Sequence, residues 1–85
     1  MTVITRAQLE LIEATLIGDA IDADLSYSPI DGSLKVCTDE LSAVVSTANT
    51  IAAITGEKVD NITDELMAWS GDGSIYRFPK VIVAA

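Results

Sequence analysis

Apolar and polar residues alternate along two stretches of this chain, each interrupted by an Asp-Gly pair. Each alternating stretch follows a segment with helical spacing. Ile30-Asp31-Gly32-Ser33 in the first half is echoed by Gly71-Asp72-Gly73-Ser74 in the second. Asp-Gly between alternating runs is the strongest short-range signal for a β-hairpin, because a type I′ turn needs two residues that tolerate positive φ. The pattern predicts an α+β domain in the order α-β-β-α-β-β. Two helices would pack as one layer on an antiparallel sheet made of the two Asp-Gly hairpins.

The first helix is predicted from Arg6 to Ala20, with Thr5 as N-cap. At 100° per residue it carries two apolar stripes. Leu9, Ile12, Leu16 and Ala20 lie on one side; Ala7, Leu11, Ala14, Gly18 and Ile21 lie nearly opposite. A lone surface helix needs one such stripe. The second must meet another part of this chain or a second chain.

Ala23 to Thr38 forms the first predicted hairpin. A two-residue turn at Asp31-Gly32 sets Tyr27 opposite Val36, Ser28 opposite Lys35 and Pro29 opposite Leu34. Leu25, Tyr27, Pro29, Leu34 and Val36 then share an apolar face, and Ser26, Ser28, Ser33 and Lys35 a polar one. Cys37 is predicted to be packed in the second strand. The next helix is predicted to start at Thr38, with Asp39 and Glu40 in its first turn, and to end at Gly56. Leu41, Val44, Val45, Ala48, Ile51 and Ala52 make its apolar face. Ser42, Ser46, Asn49, Thr50 and Ala53 lie on the other side, and no charged residue occurs from Leu41 to Thr55.

Gly56 to Thr63 reads as a connection, although Val59, Ile62, Leu66 and Trp69 also fit a helix. A turn at Asp72-Gly73 would set Trp69 opposite Tyr76, Met67 opposite Phe78 and Glu65 opposite Lys80. Val81-Ile82-Val83 would then run past its partner as an apolar strand end, open to another chain. Aligning the two turns brings Leu25 onto Leu66, Asp24 onto Glu65 and Ser33 onto Ser74. Duplication of an αββ unit and convergence on good turn chemistry both explain that match.

Eighty-five residues form a single domain, 1–85. A domain of this size buries only about two-thirds of its unfolded surface. Yet 49 % of its residues are apolar, and mean hydropathy is +0.39. The excess points to surface hidden against another chain, including a homo-oligomer. Thirteen acidic and five basic residues leave a net charge of −8, which argues against direct binding to nucleic acid or an anionic membrane and permits a basic protein partner. No apolar run reaches the ~18 residues of a membrane span, and no signal peptide is visible, so a cytoplasmic setting in a cell or virus-infected host is expected.

Histidine is absent, which removes the commonest general base and metal ligand. No phosphate loop or nucleophile elbow occurs. Asp19, Asp22 and Asp24 lack the ordered spacing of a calcium loop. Neither cofactor, metal nor catalytic residue is therefore assigned. Acidic residues gather in three stretches: Asp19, Asp22 and Asp24 at the helix-to-strand junction, Asp39 and Glu40 at the start of the second helix, and Glu57, Asp60, Asp64 and Glu65 in the connection after it. Together they suggest a surface resembling spaced phosphates, able to occupy a basic groove as a nucleic-acid mimic would.

Two functional readings follow. The first is a non-enzymatic acidic protein-binding module: an inhibitor or accessory factor, in its sharpest form virus-encoded, acting on a nucleic-acid-handling protein. The second is a self-assembling structural protein such as a virion or shell component, associating through Leu11, Ala14, Ser46, Asn49, Ala53, Val81 and Val83.

Overall fold

The computed structural model describes residues 1–68 and 74–84. It is a small α+β domain with three helices and a mixed five-stranded sheet among those residues. The elements run β1 (Thr2–Ile4), α1 (Arg6–Gly18), β2 (Asp24–Tyr27), β3 (Ser33–Cys37), α2 (Leu41–Thr55), α3 (Val59–Thr63), β4 (Met67–Ala68) and β5 (Ile75–Val83). The predicted α-β-β-α-β-β order therefore lacks an opening strand and a third helix. The sheet order is β1-β5-β3-β2, with β4 also paired to β5. β1 lies parallel to β5, and the other pairings are antiparallel.

Thr5 starts α1 through a capping box. Its hydroxyl accepts from the Gln8 N–H at 3.1 Å, and the Gln8 side chain accepts from the Thr5 N–H at 2.9 Å. Leu9, Ile12 and Leu16 are buried. The helix closes two residues before the predicted end. Ala20 takes φ 57°, its N–H donating to the Ile17 carbonyl and that of Ile21 to the Leu16 carbonyl. These paired bonds satisfy carbonyls that would otherwise be orphaned at the helix end. Ile21 packs against the core from just past that turn. The second apolar stripe stays outside: Ala7, Leu11, Ala14 and Gly18 are exposed.

α2 starts at Leu41, not near Thr38. Glu40 is the N-cap without a side-chain hydrogen bond, while Gly56 ends the helix at φ 75°. Ala43, Val44, Thr47, Ala48 and Ile51 are buried. The packed face is thus rotated from the predicted one, and Leu41 and Val45 are exposed. The Thr47 hydroxyl tolerates this burial because it donates to the Ala43 carbonyl at 2.8 Å. After Gly56 the short helix α3 inserts Ile62, fully buried, so helical spacing prevails there over the predicted connection.

One core cluster joins α1, α2 and α3 to one sheet face through Ile4, Leu34, Val36, Phe78, Val81 and Val83. On the other face Val3, Ser26, Cys37 and Met67 are exposed, which corrects the packed position expected for Cys37. Between Leu34↔Phe78 and Ser33↔Ile82 the register shifts, leaving Pro79, Lys80 and Val81 without opposite partners on β3. Proline, lacking an N–H, suits such a bulge. The extra length lets Phe78 and Val81, three positions apart, both reach the core with no exposure.

The two hairpin registers are corrected in different ways. β2 and β3 pair as Tyr27↔Leu34 and Leu25↔Val36, two residues from the predicted alignment. A shift of two preserves the faces, so Leu25 and Tyr27 still lie beside Leu34 and Val36. Pro29 leaves the strand for the loop 29–32, closed by Ser28 N–H to Ser33 carbonyl and Gly32 N–H to Ser28 carbonyl bonds. β4 pairs as Met67↔Arg77, one residue from the predicted alignment, and that exchanges faces. Met67 is consequently exposed while Phe78 is buried. Trp69 and the Asp72-Gly73 turn lie outside the described residues.

Candidate functional site

The antiparallel run of β2, β3 and β5 gives the sheet two chemically distinct ends. At one end, Asp24 pairs with Cys37 and Cys37 with Ile75. Thr38 joins the neighbouring segments. Its buried hydroxyl donates to the Asp22 carbonyl at 2.8 Å and accepts from the Glu40 N–H at 3.2 Å. Its own N–H donates to the Ser74 carbonyl at 2.8 Å. The Thr38 bond to Asp22 and the Asp24↔Cys37 pairing bring the backbone at Asp22 and Asp24 alongside residues 37–40, and the side chains of Asp22, Asp24, Asp39 and Glu40 are all exposed. No ion pair reaches any of them among the described residues.

Asp19 caps the C-terminal end of α1 and leads into this region. A carboxylate there faces the negative end of the helix dipole, so its position does not favour the helix. The other acidic set is a separate group. Glu57 bridges its own segment, accepting from the Asn61 side chain at 2.7 Å and the Lys58 N–H at 3.0 Å. Those bonds, the Asn61 one foremost, hold its carboxyl below its ordinary pKa. Asp60 lies in the first turn of α3 and Asp64 ends it. Glu65, at φ 61°, meets Lys80 at 3.7 Å, so the predicted charge pair forms without ladder pairing. Among the described residues no hydrogen bond or ion pair links this group to Asp19, Asp22 and Asp24. The predicted acidic surface is thus divided, with Asp39 and Glu40 falling beside Asp22 and Asp24 and the residues from Glu57 to Glu65 standing apart. The hairpin register carried that signal, since Asp24↔Cys37 brings residue 22 near residues 38–40.

At the opposite end one acid is paired within the fold. In the loop, the Asp31 carboxylate accepts from the Ser33 N–H at 2.9 Å, from the Ser33 hydroxyl at 2.7 Å, and from Arg77. Arg77 Nε also donates to the Ser33 hydroxyl at 3.0 Å. The Ser33 N–H and hydroxyl, then the Arg77 charge, hold the Asp31 pKa at about 2. Gly32, at φ 77°, is in the left-handed region, and a Cβ there would meet the Val83 carbonyl oxygen at 3.0 Å. Beside this loop a cleft of about 350 Å³ opens between the start of α1 and the end of β5, where Arg6 stands 5.5 Å over the Tyr27 ring.

The self-association candidates also separate. Leu11, Ala14, Asn49 and Ala53 are exposed and Ser46 is half-buried, all on the helices. Val81 and Val83 are buried and paired with Thr2 and Ile4 of β1, so the expected open strand end is already occupied within the chain.

No group of three or more His, Cys, Asp or Glu among the described residues is placed to hold a metal ion. No helix of the described residues is long and apolar enough to cross a membrane. The chain matches no protein-family model, no curated protein and no solved structure at significant similarity.

Proposed function

We propose that this domain is a non-enzymatic protein-binding module that engages a basic partner in the cytoplasm. In that role it acts as an inhibitor or accessory factor of a nucleic-acid-handling protein, in a cell or, if virus-encoded, in an infected host. The supporting observation is the end of the sheet where Asp22, Asp24, Asp39 and Glu40 are gathered around Thr38 without cationic partners among the described residues. Uncompensated carboxylates held on a folded frame focus negative potential and steer a positively charged surface. Surfaces that bind phosphate backbones carry that positive charge.

The test is a pull-down of the intact chain at rising salt, beside the variant Asp22→Asn/Asp24→Asn/Asp39→Asn/Glu40→Gln. A basic protein released by salt, lost with the variant and displaced by duplex DNA supports the reading. Capture that the variant leaves unchanged refutes it.

A second reading, self-assembly as a structural protein, is favoured by the helix layer. Leu11, Leu41 and Val45 are each more than half exposed, and α2 carries no charge. Copies with a net charge of −8 repel one another least at an uncharged apolar face. Sedimentation of the wild type against Leu11→Glu/Val45→Glu separates the two. Loss of an oligomer supports assembly; a monomer throughout removes it.

A further inference from the structure

Independently of the acidic end, we infer that the cleft at the opposite end of the sheet binds a small carboxylate with an apolar body. Its two charged lining residues are Arg6 and Asp31. Asp31 is neutralised by Arg77 and Ser33, whereas Arg6 forms no ion pair or hydrogen bond through its side chain among the described residues. The guanidinium rests over the Tyr27 ring. In that arrangement a guanidinium keeps its charge and its donor fork for a planar bidentate acceptor, and a carboxylate is the small group that matches it.

The remaining wall is largely apolar. Pro29 and Ile30 come from the hairpin loop, Ile82 and Val83 from the end of β5. Ile30 is 94 % exposed, an unusual position for a large aliphatic side chain, and it borders the cleft. Size limits the ligand. At about 350 Å³ the cleft lies near the lower end of the ~300–1,000 Å³ range of small-molecule sites. It suits one apolar side chain plus its carboxylate, not a nucleotide cofactor. A free apolar acid and the C-terminal residue of a peptide share this chemistry.

The experiment follows backbone amide shifts of the ¹⁵N-labelled full chain titrated with N-acetyl-leucine. The uncharged N-acetyl-leucinamide is titrated in parallel. Saturable shifts confined to Ser28, Ile30, Gly32 and residues 82–84 are expected, with the amide at least about tenfold weaker, as loss of charge-assisted hydrogen bonds implies. Arg6→Gln should weaken N-acetyl-leucine by a similar factor, and Arg6→Lys by less, with the remaining spectrum unchanged. An acetylated four-residue peptide ending in a free leucine carboxylate distinguishes the source. Binding at least tenfold tighter than N-acetyl-leucine assigns the cleft to chain ends, and equal binding assigns it to free acids. The inference is overturned if acid and amide bind within twofold of each other. Shifts scattered over the surface, or wild-type affinity in Arg6→Gln, also overturn it.

Discussion

Each end of the sheet depends on a residue in the left-handed backbone region, but the residues differ. At the cleft end that position is Gly32, at φ 77° and against the Val83 carbonyl. At the acidic end it is Ala20, at φ 57° between Asp19 and Asp22. The cleft end pairs Asp31 with Arg77 and Ser33 and leaves one cation, Arg6, without an ion pair among the described residues. The acidic end satisfies its backbone through Thr38 but leaves four carboxylates without ion pairs among the described residues. The acidic end keeps like charges together, and its left-handed residue closes α1 with a β-carbon that glycine would not carry.

The contrast makes graded predictions. Gly32→Ala should be the most damaging, by about 2–4 kcal/mol, because left-handed strain adds to a close backbone contact. Chemical denaturation measures it. If the cost is under about 1 kcal/mol, Gly32 is not what sets the cleft end. Thr38→Val should destabilise by about 1–2 kcal/mol, because it leaves the Glu40 N–H and the Asp22 carbonyl without their partner. It should also weaken capture of a basic partner by loosening the acidic group. Ala20→Gly should act in the opposite direction, raising stability by about 0.5–1 kcal/mol in the same denaturation assay. A loss would show that the alanine methyl makes a compensating contact.

Neutralising Asp22, Asp24, Asp39 and Glu40 together should have the smallest effect per substitution, within about 0.5 kcal/mol at each site, while abolishing charge-driven capture. If the quadruple variant unfolds, the acidic end is structural after all. Asp31 gives the corresponding pH signature at the cleft end. Its folded pKa of about 2 lies below the unfolded value of about 3.9, so its contribution is complete above the unfolded value. That contribution declines as pH falls from about 4 toward 2. Carboxyl titration by NMR should show the depressed midpoint, and Arg77→Gln should raise it.

How far the fold could be read from the residues depended on parity. Alternation assigned Leu25, Tyr27, Leu34 and Val36 to one face, and the two-residue error in the β2–β3 alignment left that assignment intact. The one-residue error at Met67 reversed it, because side chains alternate with a period of two. Helical spacing located Leu9, Ile12 and Leu16 but not the rotation of α2, where Leu41 and Val45 have the right chemistry and the wrong direction. Thr47 replaced them inward because its hydroxyl can be satisfied by the helix backbone. At the candidate site, Asp22 and Asp24 were legible as acids. Their approach to Asp39 and Glu40 was implicit in the hairpin register, and the long-range hydrogen bond from Thr38 to the Asp22 carbonyl fixes it.

Local chemistry alone was enough to start α1 at Thr5, to end α2 at Gly56, to give the chain its −8 charge and to place turn-forming residues near Asp31. Those features depend on a few neighbouring residues or on composition. Tertiary structure decided that Val81 and Val83 pair with β1, that the acids divide into two groups, and that Arg6 meets Tyr27 beside a cleft. Each of these joins residues far apart in the chain. Hydrophobic burial and ladder pairing select such contacts among many alternatives of similar local energy, so no short window of sequence can specify them.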